Sequence, residues 1–131
     1  MDARILLVED DPSIREVVAL GLRGAGFTVT TAADGEVGLE RWRADNPDLV
    51  LLDGMMPRID GFEVAHRLRR NPQTSNTSII MLTAKALATD KVLGLTAGPD
   101  DYIIKPFDPI ALLARVQGTP RRAKEMRNLS P

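Results

Sequence analysis

The chain reads as one α/β domain built on a parallel sheet with helices on both faces, and three observations predict this. Ile5-Leu6-Leu7-Val8, Leu49-Val50-Leu51-Leu52 and Ser78-Ile79-Ile80-Met81-Leu82 are strand-length and nearly continuously apolar, as strands buried on both faces must be. The segments between such runs carry apolar residues at helical spacing, the βα rhythm of a covered parallel sheet. The runs also end alike: Glu9-Asp10-Asp11 closes the first, Asp53 the second and Thr83 the third, and Lys105 closes a further run, Tyr102-Ile103-Ile104. Acid, acid, hydroxyl and amine at successive strand ends would converge on one crevice, because an open parallel sheet binds ligands outside the carboxyl ends of its strands.

After the first strand, Asp11 reads as an N-cap with Pro12 at the first helical position, and Ile14, Val17, Val18 and Leu22 form an apolar side until Gly24-Ala25-Gly26 stops the helix. Phe27 to Thr31 reads as strand two. Gly35 to Ala44 is a helix that carries Val37 and Leu39 with Trp42, ended by Asn46-Pro47. Strand three, Leu49 to Leu52, leads to a helix over Gly61 to Arg70, with Phe62, Val64, Ala65 and Leu68 on its apolar side. A polar turn, Asn71 to Thr77, precedes strand four. Helix four spans Ala86 to Ala97, with Leu87, Val92, Leu93 and Leu95, and Gly98-Pro99 ends it. Strand five is short, and helix five runs from Pro109 to Gln117 with Ile110, Leu112, Leu113 and Val116.

Composition narrows the function classes. At 131 residues and 44% apolar, the chain is one ordinary domain that can build a core without disulfides. It has no cysteine, hence no thiolate metal site, and it suits a reducing cytoplasm. No apolar run reaches membrane-spanning length, and Met1-Asp2-Ala3-Arg4 enters a strand directly, so neither a membrane span nor a signal peptide is expected. A net charge of -1 offers no general attraction to nucleic acid. Only the tail, Arg121 to Arg127, is locally basic, and it reads as a linker helix.

The set Val8-Glu9-Asp10, Asp53 with Met56-Pro57, Thr83-Ala84 and Lys105-Pro106-Phe107 resembles the receiver domain of two-component response regulators. The resemblance covers Arg4 to about Gln117, and its motifs are specific in combination though weak singly. It implies a flavodoxin-like, doubly wound five-stranded parallel sheet of order 2-1-3-4-5 with five helices, placing Glu9, Asp10 and Asp53 on adjacent strand ends. It divides the chain into a receiver domain, residues 1–117, and a linker or start of connection to an effector, residues 118–131.

Strands in such a sheet lie about 4.8 Å apart, so carboxylates ending strands one and three can share a hard cation. Left alone, these charges would raise each other's pKa. The resemblance implies direct Mg²⁺ (or Mn²⁺) coordination by Asp10, Asp53 and the Met55 carbonyl, with Glu9 acting through water, and makes Asp53 the nucleophile that becomes an aspartyl phosphate. The four-carbon stem of Lys105 can cross two strand spacings to pair with the phosphate, and Thr83 can hydrogen-bond it. Tyr102 matches the switch aromatic, and Lys105-Pro106 a peptide that is usually cis in the family.

The output surface implied is helix four, strand five and helix five (α4-β5-α5), and the partner a sensor histidine kinase or phosphotransfer protein. Catalysis is expected only of the chain's own phosphorylation and dephosphorylation. Met55 and Lys85 beside the site are poorly suited to orient water, so phosphate loss should be slow. Lys91, Asp100, Asp101 and Arg115 match parts of a dimerisation charge code, but Thr96 and Ala111 stand where acids are usual, leaving a homodimer through that surface incomplete. The tail resembles the lead into a diguanylate cyclase effector somewhat more than into a winged-helix DNA-binding one. The competing reading is a phosphorylation-independent interaction or adaptor module.

Simpler roles fit the remaining singular residues. Asp11 reads as a cap rather than a metal ligand. His66, beside Arg67, Arg69 and Arg70, reads as solvated surface, and Trp42 as packing. A haloacid-dehalogenase-type phosphatase would need an Asp where Met55 stands, a flavodoxin would not place Glu9-Asp10-Asp11 against a phosphate, and no nucleotide fingerprint occurs.

Overall fold

Alternating side-chain direction along a strand explains how continuous apolar runs are used in this chain. In the first strand Ile5 and Leu7 face one core and Leu6 and Val8 the other, all essentially buried. The computed structural model, which describes residues 3–54, 61–72, 77–84, 101–105, 107–108 and 110–118, has five strands: β1 (Arg4–Val8), β2 (Thr28–Ala32), β3 (Leu49–Asp53), β4 (Ser78–Ala84) and β5 (Asp101–Lys105). All pair in parallel, in the order β2-β1-β3-β4-β5. The expected order is therefore observed. The chain leaves β1 for β2 on one side and returns to β3 on the other, which opens a crevice at their carboxyl ends.

Three helices, α1 (Pro12–Gly24), α2 (Gly35–Asp45) and α3 (Gly61–Arg70), and a further one over residues 110–118 cover the sheet. Val18, Ala19 and Leu22 of α1 and Leu112 and Val116 of the last helix pack with Ile5, Leu7, Leu51 and Ile80. On the opposite face Trp42 of α2 and Val64, Ala65 and Leu68 of α3 pack with Leu6, Val8, Leu52 and Met81. Each fully buried aliphatic side chain contributes about 1.5–3 kcal/mol. Gly38 lets α2 sit close, since a Cβ there would lie 2.9 Å from Val8 Cγ2.

Helix ends follow the capping chemistry. The Asp11 carboxylate accepts from the N–H groups of Ser13 (2.9 Å) and Ile14 (3.4 Å), with Pro12 next in the chain, as expected. Asp34 caps α2 through Val37 N–H, and Asn46 ends it at φ 48°. Asp108 caps the last helix through the N–H of Ile110 at 3.0 Å, an Asp-Pro start repeating Asp11-Pro12 that the pattern reading passes over.

Several details differ from the periodicity reading. Val17 is 62% exposed and Ala19 takes its inward place, because Val18, Ala19 and Leu22 face the sheet. Ile110 is 78% exposed, since Leu112 and Val116, four apart, set the inward side of its helix. Strand two runs from Thr28 to Ala32, one residue later than expected, held by its register with Arg4 to Val8. Helix four with Leu87, Val92, Leu93 and Leu95, the Met55-Met56-Pro57 segment, Lys85, Lys91, Thr96, Pro99, Asp100, Pro106, the tail from 119 onward and the side chain of Phe62 lie outside the described residues.

Candidate functional site

The crevice collects the strand-end residues. Parallel registers set Val8 beside Leu52 and Asp53 beside Leu82, so the residues that follow β1, end β3 and end β4 emerge at one level. Backbone bonds lock these ends, from Glu9 N–H to the Ala32 carbonyl (3.0 Å) and from Gly54 N–H to the Leu82 carbonyl (2.9 Å). Lys105 enters from β5, whose terminus pairs with Ala84.

Three carboxylates meet there: one ligand oxygen from each of Glu9, Asp10 and Asp53 lies within 4.8 Å of the others. Glu9 and Asp53 are buried and Asp10 is exposed. Lys105 Nζ donates to Glu9 Oε1 and to Asp53 Oδ1, both at 3.1 Å. Its stem thus crosses the span of β4, as expected from its length. Asp11 N–H donates to the second Glu9 oxygen at 3.2 Å. Thr83 Oγ1 is buried without a hydrogen-bond partner among the described residues, an unusual state for a hydroxyl.

Electrostatics follow from packing acids in a dry place. Burial, reinforced by the hydrogen bond and charge of Asp53, raises Glu9 from 4.5 to about 7. Asp10 is raised for the same reasons in the same order, loss of solvent and then Asp53. Burial would lower the Lys105 ammonium, but bonding to Asp53 and Glu9 outweighs it and holds the pKa above the ordinary lysine value. A hard, oxygen-preferring cation suits this donor set, since it relieves the mutual repulsion of the acids.

Tyr102 is half-buried at the edge of the Trp42 core, and its burial raises the phenol pKa. Arg115 Nη1 reaches back to both Asp101 oxygens (2.8 Å each) and to the Tyr102 carbonyl (3.1 Å), tying the last helix to β5. His66 is exposed on α3, as expected of solvated surface.

Two residues at the site escape sequence reasoning. Gly61 starts α3 directly against Asp53, and a Cβ there would overlap the Asp53 carbonyl oxygen. Arg15 Nη1 donates to the Glu9 carbonyl at 2.8 Å. A helix-starting glycine and a helix arginine look ordinary in one sequence, and only the tertiary approach distinguishes them.

Among the described residues no helix is long and apolar enough to cross a membrane. The response regulator receiver domain family model matches residues 5–117. The chain is 49% identical over 118 residues to the transcriptional regulatory protein CseB of Streptomyces coelicolor, covering 90% of this chain and 49% of that protein. It is 46% identical to the DNA-binding response regulator MtrA of Mycolicibacterium smegmatis, covering 95% and 54%. The chain thus spans about half the length of these curated relatives. The receiver domain of the Francisella response regulator 1452 superposes with a TM-score of 0.83 at 33% identity, covering 92% of this chain and 98% of that one. With its 2-1-3-4-5 parallel sheet, its carboxylate cluster below Lys105 and these matches, the chain belongs to the response regulator receiver domain family.

Proposed function

We propose that this domain is a phosphoacceptor switch, taking a phosphoryl group onto Asp53 from a sensor histidine kinase or a phosphotransfer protein, in the cytoplasm and with Mg²⁺ or Mn²⁺. The observation that carries the reading is the Lys105 ammonium bonded to both Asp53 and Glu9, with the end of the neighbouring strand holding a buried Thr83 hydroxyl that has no partner among the described residues. A cation and a hydrogen-bond donor flanking one carboxylate are what a transferred phosphoryl group needs, since such transfer asks mainly for positioning and charge neutralisation.

Asp10 and Asp53 would hold the metal directly and Glu9 through water; the Met55 carbonyl lies outside the described residues. When bound, the metal neutralises charge on the phosphoryl oxygens. An Asp53 oxygen attacks the donor's phosphorus, and the bond from phosphorus to the donor imidazole nitrogen breaks with its electron pair leaving on that nitrogen. Lys105 then pairs with the new phosphate and Thr83 donates its hydroxyl to it. The chain acts only on its own side chain and turns over no outside substrate. Inward movement of Thr83 would make room for Tyr102 and alter the surface around β5.

The relatives named as DNA-binding regulators support a DNA-binding effector joined beyond this domain, ahead of the cyclase effector favoured by the tail composition. The domain itself is assigned no nucleic-acid contact, and a homodimer through the β5 surface remains part of the proposal for output.

Intact-protein mass after incubation with a small phosphodonor, with and without Mg²⁺, tests the reading on the native chain and Asp53→Asn. A Mg²⁺-dependent phosphoryl adduct absent from the variant is expected. Mg²⁺ binding with no adduct would instead favour a phosphorylation-independent interaction module.

A further inference from the structure

Glu9 is held at every polar atom. Its N–H bonds the Ala32 carbonyl, its two carboxylate oxygens accept from Lys105 and from Asp11 N–H, and its backbone carbonyl accepts from Arg15 Nη1 at 2.8 Å. Three of these contacts come from the sheet or from the loop itself. The fourth comes from α1, where the partly buried Arg15 lies one turn after the Asp11 cap, its own N–H bonded to the Asp11 carbonyl at 2.9 Å. Arg15 therefore connects the two ends of the segment that carries Asp10.

We propose that Arg15 is a positioning residue for cation binding, its bond to the Glu9 carbonyl fixing the Glu9-Asp10-Asp11 turn so that the carboxylates of Glu9 and Asp10 stay turned toward Asp53. The inference rests on the metal-dependent reading above. Peptide rotation at Glu9 would swing its carbonyl and the following Asp10 together, and a charged donor at 2.8 Å opposes that rotation strongly. Groups that orient metal ligands without touching the metal commonly change affinity by about 10–100-fold when removed.

The same helix supplies a comparison. Arg23 Nη2 donates to the Val29 carbonyl at 3.0 Å, also joining α1 to a strand, but at the end of the helix remote from the carboxylates. Both arginines line one groove together with Thr31 of β2. If tying α1 to the sheet were all that Arg15 did, losing either arginine would have the same effect on the metal.

The experiment is calorimetric Mg²⁺ titration of the whole chain as native, Arg15→Ala, Arg15→Lys and Arg23→Ala, with thermal melts and amide exchange at Asp10 and Asp11 on the metal-free proteins. Arg15→Ala should weaken Mg²⁺ binding about 10-fold and speed exchange of the Asp11 amide, with a loss of melting temperature no greater than that of Arg23→Ala. Arg15→Lys should recover most of the affinity, and Arg23→Ala should bind Mg²⁺ as the native chain does. Unchanged Mg²⁺ affinity in Arg15→Ala, or equal weakening in Arg23→Ala, would overturn the assignment while leaving Asp53 phosphorylation intact. A native chain that binds no Mg²⁺ would overturn the functional reading itself, and this inference with it.

Discussion

Asp53, Glu9 and Lys105 act as a unit because their charged atoms are within bonding distance in a place largely closed to water. Lys105→Ala should leave Asp53 able to take a phosphoryl group but uncouple that event from changes at Tyr102. The check is the phosphoryl adduct by mass beside the Tyr102 environment by NMR; a normal Tyr102 response in the variant would count against the role. Asp11 has a different function from its acidic neighbours, since its carboxylate is spent on the N–H groups of Ser13 and Ile14. Asp11→Ala should therefore cost about 1 kcal/mol of stability and Asp11→Ser should recover most of it, as read by urea unfolding. Equal losses in the two variants would show that more than the cap is involved. That Asp11 caps while Asp10 joins the cluster was legible in the sequence, because Asp-Pro before an apolar helical pattern is a local signal. The part played by Arg15 was not, because its acceptor is a backbone carbonyl, and such an acceptor leaves no mark on residue type.

At the scale of elements, the approach of α3 to β3 decides where Asp53 can sit. Gly61→Ala would place a methyl group into the Asp53 carbonyl and near Met81 Cε, so either the helix start or the strand end must move. A destabilisation of about 1–3 kcal/mol is expected, with a slower phosphorylation rate, by denaturant titration and a timed mass assay. A fully stable variant phosphorylated at the native rate would mean that the contact carries no positional role. Arg115 makes a second junction, from the last helix to Asp101 and the Tyr102 carbonyl, so the half-buried tyrosine and that helix are mechanically joined. Three helix extents were readable nearly to the residue, and α3 was expected over its observed span, Gly61–Arg70. Their inward faces were less readable: Val17 and Ile110 match helical periodicity yet face solvent, because which stripe of a helix is buried depends on the sheet it meets.

Across the whole molecule, the dry carboxylates make stability depend on pH. Glu9 has a pKa of about 7 in the fold against 4.5 unperturbed, so between these values the folded chain holds more protons than the unfolded one. Its contribution to stability is complete below the lower value and is lost as pH rises through the upper one. The metal-free chain should therefore lose stability from about pH 5 to about pH 8 through Glu9, and Glu9→Gln should flatten that part of the profile. Urea midpoints measured across the range check this, and a Glu9→Gln profile parallel to the native one would contradict it. Mg²⁺ should bind more tightly as pH rises through about 7, because the ligands must shed protons first. At this scale the match to relatives twice as long also matters. Those relatives are named as DNA-binding regulators, a class that the tail composition by itself did not single out. The composition of a short basic stretch does not specify what it leads into.

The sequence by itself determined the layered α/β class, the positions of the strands, most helix ends and the polar residue closing each site strand. These depend on local rules: apolar runs, helical spacing, Pro and Gly punctuation, and caps. The sheet order and the identity of the acids came from motifs in combination, and the structure reproduces that order. Only the tertiary structure decided that Lys105 bridges Glu9 and Asp53, that the Thr83 hydroxyl is buried with no partner among the described residues, that Gly61 presses on the Asp53 carbonyl and that Arg15 holds the Glu9 carbonyl. Each joins segments distant in the chain or uses a backbone atom that every residue possesses. Their specificity resides in where the folded chain brings them.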